Sequence, residues 1–280
     1  MTDTSLDFSQ RTDLRMLAAL VKQVSIAAAG TPFLLVGAMA RDLLLTHAHG
    51  VRASRATEDV DLAFQVASWN EFEKLRQKLL DGEFTEIPRR GRHKLRYRGG
   101  LDVDILPFGD VERPDRTIVL PPDNAIVMSM FEFTEALQPS VTVKLPDEVS
   151  IQVVSLPALA ILKLTAWNER HSVEPGKDAY DLNLVIRNYA EIAGERLYEV
   201  NPYLVGSPSD YECAGAWLLG SDMAELLDRS GKERLAVLIA GEADENGQFR
   251  WAGEMIRDNP ERAIQLLGAL ERGFIEGNNE

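Results

Sequence analysis

The chain has 280 residues, 45% of them hydrophobic, with a formal net charge of -14 and a pI of about 4.8. That length allows one large domain or two small ones, and that apolar fraction excludes a disordered chain. The carboxylate excess weighs against a protein coated in nucleic acid, whose phosphate contacts need clustered Lys and Arg, while leaving room for a local basic groove on an acidic body.

The first stretch, MTDTSLDFSQRTD, is polar and acidic, unlike a signal peptide. Leu14 to Ala29 predicts an amphipathic helix, with Leu14, Leu17, Leu20, Val21 and Val24 at helical spacing, ended by Gly30-Thr31-Pro32. Phe33 to Val36 suits a buried strand; it stops at Gly37, and a helix is expected from Ala38 to about Thr46. His47 to Thr57 is polar and basic and reads as a loop. From Glu58 to Phe64 the residues alternate, with Val60, Leu62 and Phe64 facing one way and Asp59 and Asp61 the other, the period of a half-buried strand. Ser68 with Glu71 three residues later has the form of a capping box, opening a helix that turns Trp69, Phe72, Leu75 and Leu79 inward. Lys94 to Arg98 and Leu101 to Leu106 predict paired strands around a Gly99-Gly100 turn. Further short strands are expected at 117–120, 141–144 and 151–154.

After Ser155 helical patterns dominate: Leu156 to Arg170, Lys177 to about Tyr189, and several segments between Ser209 and Arg272. The single cysteine, Cys213, cannot form an intramolecular disulfide and reads as an inert buried thiol. No apolar run approaches the ~18–20 residues that span a bilayer, so the expected location is the cytoplasm, away from membranes. The expected organisation is a mixed α/β part over residues 1–155 and a helical part over 156–280.

Three constellations carry chemistry. Asp59 and Asp61, at i and i+2 on a strand, bring two like charges together, and a hard divalent cation such as Mg²⁺ is their natural partner. Gly37, between a strand and a helix, lets backbone N–H groups approach an anion; Arg41 on the first turn could reach a phosphate or pair with Asp42 or Asp61. Asp102 and Asp104 share one face of a later strand, and either could supply a third carboxylate; the apolar flanks Val103 and Ile105, followed by Leu106-Pro107-Phe108-Gly109, favour Asp104. Lys163 lies inside an apolar helical run and needs a partner or an exposed edge, with Arg170 on the same face at i+7. Arg89, Arg90, Arg92, Lys94, Arg96 and Arg98 concentrate positive charge just before the Asp104 strand, as an acceptor-binding surface or as an edge hairpin guarded against sheet association.

In combination, VGAMARDLLL, RATEDVDLAF, VDILPFG, LKLTAWNER and KDAYDL resemble the AbiEii/AbiGii toxin-type nucleotidyltransferases, within the DNA polymerase β-like superfamily, over roughly residues 33–189. The resemblance implies an α+β fold: a polymerase β-like domain with a mixed sheet, then a helical C-terminal domain. It implies transfer of a nucleotide from an NTP to an acceptor, possibly tRNA, with two Mg²⁺ ions, and an AbiEi-like antitoxin as partner. Asp59, Asp61 and Asp104 would bind metal, with Asp104 as base. Gly37, Ala38, Arg41, Thr57, Lys163, Lys177, Asp178 and Asp181 would serve the nucleotide. Many relatives have Gly-Ser or Gly-Gly where this chain has Gly37-Ala38, so any contact from Ala38 must come from its backbone. The competing readings are an aminoglycoside-like small-molecule acceptor and a non-catalytic nucleotide-binding protein of the same fold.

Overall fold

Alternation of apolar and polar residues organises the N-terminal part of the chain. The structure is a computed structural model that describes residues 5–52, 57, 59–88, 90–98, 100–120, 126–130, 132–137, 139–199, 203–204, 210–243, 250–256 and 259–277. It divides into two units, Met1–Leu44 with Ser54–Ser155, and Leu45–Ala53 with Leu156–Glu280.

In the first unit, strand β1 (Ser5–Asp7) precedes helix α1 (Arg15–Ala28), which buries Leu17, Leu20, Val21 and Val24 as their spacing predicts. Strand β2 (Phe33–Val36) runs into α2 (Gly37–Arg41), which continues as a π-helical segment, Asp42–His47. Then follow β3 (Asp59–Val66), α3 (Trp69–Leu80), β4 (Phe84–Glu86), β5 (Lys94–Tyr97), β6 (Leu101–Gly109), β7 (Thr117–Leu120), β8 (Ile126–Ser129), α4 (Phe133–Leu137), β9 (Val141–Lys144) and β10 (Ser150–Val153). Eight strands form one mixed sheet in the order β1-β9-β10-β2-β3-β6-β5-β4, and β7 and β8 pair separately. At its centre β2 is antiparallel to β3, β3 parallel to β6, and β6 antiparallel to β5. Val60, Leu62, Val103 and Ile105 are fully buried on one face, which turns the intervening aspartates to the other. At the start of α3 the Ser68 hydroxyl accepts the Glu71 N–H at 3.2 Å, and the Glu71 carboxylate accepts from Ala67 N–H at 2.8 Å. The box thus closes one residue earlier than the usual reciprocal bond.

The second unit carries α5 (Leu156–Arg170), α6 (Lys177–Ala193), α7 (Tyr211–Leu226), α8 (Arg229–Ala243), α9 (Arg250–Met255) and α10 (Pro260–Glu276). Helices α7 and α10 cross at glycines: a Cβ at Gly273 would lie 1.8 Å from the Trp217 carbonyl oxygen, and one at Gly220 2.1 Å from that of Leu270. Cys213 is buried, and that burial pushes its thiol up to about 11, as befits an inert residue. Strands β1 and β4 and helix α4 have no counterpart in the periodicity, being three to five residues long. Among the described residues no helix is long and apolar enough to cross a membrane.

Candidate active site

The register of the central strands sets the site. Val36 pairs with Asp61, Asp61 with Asp104, and Asp104 with Lys94. Two residues along, Asp59 pairs with Asp102, and Asp102 with Arg96. Register partners share a face, so all four aspartates stand on the face opposite Val60 and Val103. Neighbouring strands lie about 4.8 Å apart, and carboxylates at that spacing repel unless cations sit among them. The chain supplies two cations itself. Lys94 Nζ donates to Asp104 Oδ2, and Arg96 Nε to Asp102 Oδ1 at 2.6 Å. The Arg96 hydrogen bond holds the Asp102 carboxyl below its ordinary value.

Gly37 closes the row from the other side. Its φ is +71°, and a Cβ there would lie 1.9 Å from Asp61 Oδ2. Glycine is required twice over, for the left-handed backbone and for the close approach of the Asp61 carboxylate. A few residues on, Arg41 is 2% exposed. Its Nε donates to Asp42 Oδ1 at 2.9 Å and its Nη2 to Thr57 Oγ1 at 3.2 Å, while the Thr57 hydroxyl donates to Asp42 Oδ2. Arg41 and Thr57, both expected at the nucleotide, are therefore gathered around Asp42. Charge-assisted bonds of this kind fix geometry as well as energy.

The donor set suits a hard divalent cation. Asp59 is exposed and Asp61 and Asp104 are half-buried, so all three offer oxygen ligands with access from solvent. The missing side chain at position 37 makes room for the Asp61 carboxylate itself, which takes the space a Cβ would fill. Among the described residues no three His, Cys, Asp or Glu side chains already converge on one metal-sized point; Asp104 is turned to Lys94 instead.

The family described as Nucleotidyl transferase AbiEii toxin, Type IV TA system, matches residues 18–201. The chain belongs to the AbiEii family. It is a nucleotidyltransferase of the toxin class of type IV toxin–antitoxin systems. Among solved structures, the antibiotic-resistance factor ANT(2'')-Ia is 16% identical with a TM-score of 0.35, over 61% of this chain and 83% of that one. A candidate nucleotidyltransferase from H. pylori is 14% identical with a TM-score of 0.34, over 96% and 98%. No curated protein matches.

Ala38 follows Gly37 in the first turn of α2, and the other residues that the AbiEii resemblance singles out, Lys163, Lys177, Asp178 and Asp181, lie in the second unit. Lys163 Nζ is 3.2 Å from Asp178 Oδ1 and 2.5 Å from Asp181 Oδ2, and Arg170 Nε donates to Asp178 Oδ2 at 2.7 Å. Lys163, Asp178 and Asp181 are all buried. Burial pushes the Asp178 carboxyl up, but Arg170 and Lys163 outweigh it and hold the group below its ordinary value. Lys177 touches the edge of this cluster, its Nζ 3.3 Å from Glu174 Oε2, an oxygen that also lies 4.0 Å from Arg170 Nε.

The basic segment of this AbiEii chain is matched by carboxylates. Arg92 pairs with Glu73 at 2.6 Å, Lys94 with Asp104, Arg96 with Asp102, and Arg98 with Glu83 at 2.8 Å. Arg89 lies outside the described residues. The sequence predicts this hairpin, with 94–98 paired to 101–106, and leaves the basic segment as an acceptor surface or a guarded edge; the ion pairs that the hairpin makes between Lys94 and Asp104 and between Arg96 and Asp102 are what it does not name. The signal was present: 94 and 104, and 96 and 102, are equally distant from residue 99.

Proposed function

We propose that this enzyme transfers NMP from an NTP to a macromolecular acceptor, with tRNA the first candidate, using two Mg²⁺ ions held by Asp59, Asp61 and Asp104. Support comes from the row that runs from the Gly37 turn through Asp61 to Asp104, with Asp59 on the same face. When bound, the metal ions would offset the triphosphate charge and lower the pKa of the acceptor hydroxyl. Asp59 and Asp61 ligate; Asp104 ligates and takes the hydroxyl proton. Backbone N–H groups of Gly37 and Ala38 hold the triphosphate. The acceptor oxygen bonds to the α-phosphorus as the bond to the β-phosphate oxygen breaks, and pyrophosphate leaves. Arg41 and Thr57 act on the nucleotide by fixing the turn through Asp42. Lys163, Lys177, Asp178 and Asp181 are assigned to the nucleotide by the family resemblance, and Lys177→Met tests that assignment through NTP affinity. The proposed partner is an AbiEi-like antitoxin, and the proposed place of action is the cytoplasm, where NTPs and tRNA are.

The test is incorporation of labelled NTP into total tRNA and into protein extract with Mg²⁺. Transfer that Asp59→Asn abolishes, with the fold intact by circular dichroism, supports the proposal. Wild-type protein that neither transfers to any acceptor nor binds NTP sinks it. A second reading, a cationic small-molecule acceptor, draws on the net charge of -14 and on the pairing of Arg92, Lys94, Arg96 and Arg98 with carboxylates. A panel of aminoglycosides in the same assay decides between the acceptors.

A further inference from the structure

Strand β5 sets a lysine directly opposite Asp104. Lys94 and Asp104 are register partners, and Nζ donates to Oδ2. The pair is half-buried: the Lys94 side chain keeps 30% of its exposure and that of Asp104 18%. An ammonium on a four-carbon stem is a compact charge with three donors, and it can swing away from a carboxylate without moving its strand. The neighbouring Arg96–Asp102 pair is built alike one step along the ladder. The two pairs relieve the repulsion of four aspartates crowded on one face of adjacent strands.

An ammonium and a divalent ion compete for the Asp104 carboxylate, because two cations close to one carboxylate repel each other. We propose that Lys94 is a resident counter-ion of the metal site: it neutralises Asp104 in the metal-free enzyme, and a divalent cation loads only by displacing it. This rests on the metal-dependent reading above. It makes the metal affinity of the nucleotide-free enzyme lower than its carboxylates alone would give. It also favours metal that arrives with a triphosphate, whose negative charge can receive the released ammonium.

The experiment is calorimetric titration of the full chain with Mn²⁺, without nucleotide, for wild type, Lys94→Met, Lys94→Arg, Arg96→Met and Asp61→Asn. Lys94→Met should bind Mn²⁺ about fivefold more tightly than wild type, the size expected when a half-exposed ion pair stops competing. Lys94→Arg keeps the charge and should bind no more tightly than wild type. Arg96→Met releases Asp102, not Asp104, and should leave the affinity within about twofold. Lys94→Met affinity equal to or weaker than wild type overturns the counter-ion role; should that variant fail to fold, Lys94→Gln is read the same way. If wild type binds no Mn²⁺, or Asp61→Asn binds it as wild type does, the metal-dependent reading falls and takes this inference with it. If Asp61→Asn abolishes binding and Lys94→Met changes nothing, only the counter-ion role fails.

Discussion

Gly37→Ala separates a site from a mere turn. The substitution has two effects of different kind. The backbone at φ +71° is left-handed, and an L side chain there costs about 1–2 kcal/mol. The new Cβ would also lie 1.9 Å from Asp61 Oδ2, 2.7 Å from its Cγ and 3.0 Å from its Cβ. Ordinary van der Waals contact begins near 3.4 Å, so the Asp61 carboxylate must withdraw by about 1.5 Å, and rotating its end alone does not clear the Cγ. Stability should fall by about 1–3 kcal/mol, within the usual range for one substitution. A displacement of about 1 Å in a reacting group can cost ~100-fold in rate, so transfer and Mn²⁺ binding should fall at least that far. Urea unfolding, calorimetry and labelled-NTP transfer measure the three quantities. Gly30→Ala is the control, because Gly30 has φ +96° and nothing within 4 Å of a Cβ. It should lose stability and keep transfer. If Gly37→Ala loses only as much stability as Gly30→Ala and retains wild-type transfer and metal affinity, the Asp61 carboxylate is not the ligand argued here.

Other outcomes follow from the helical unit. Gly273→Ala would drive a Cβ to 1.8 Å from the Trp217 carbonyl oxygen, a backbone atom that cannot step aside, and should destabilise by about 3 kcal/mol or more. Gly268→Ala on the same helix meets nothing within 4 Å and should stabilise by roughly 0.5–1 kcal/mol; denaturant midpoints of the pair check both. Lys163→Met leaves Asp178 and Asp181 buried beside Arg170 with one cation fewer and should cost about 3–5 kcal/mol, whereas an unchanged midpoint would show the cluster to be water-filled. Because the folded Asp178 carboxyl sits below its ordinary 3.8, it contributes stability above that pH and loses it as pH falls through the folded value. Asp178→Asn should therefore be less stable than wild type at neutral pH and show a shallower acid limb below about pH 4 in a pH series of unfolding curves.

The site was legible in the sequence where chemistry and period coincide. Strict alternation over Asp59–Phe64 and Leu101–Leu106 places carboxylates on one face because the opposite face must be buried, and both strands form as that rule requires. The i+7 spacing of Lys163 and Arg170 likewise brings both to Asp178. What stayed hidden depends on long-range pairing. No local pattern says that β3 lies between β2 and β6, or that residues 45–53 group with the helical unit. The π-helical continuation of α2 over Asp42–His47 is equally silent, since its residues fit an ordinary helical period. The basic segment reads as a surface for phosphates only while its partners are unknown; cross-strand register gives Lys94 and Arg96 their carboxylates.

The tryptophans are unevenly shared. Trp69 belongs to the sheet-bearing unit, while Trp167, Trp217 and Trp251 belong to the helical one. Trp167 and Trp251 stack with ring centroids 5.7 Å apart and planes inclined by 27°, close enough for their excited states to couple. Intrinsic emission and near-ultraviolet dichroism therefore watch mainly the helices. With Trp69→Phe the fluorescence signal belongs to that unit alone, and far-ultraviolet dichroism of the same sample still sees the sheet. Fluorescence then follows the helical half alone while far-ultraviolet dichroism sums both units, so a difference between the two melting curves reports the sheet-bearing unit, in one cuvette and without labels.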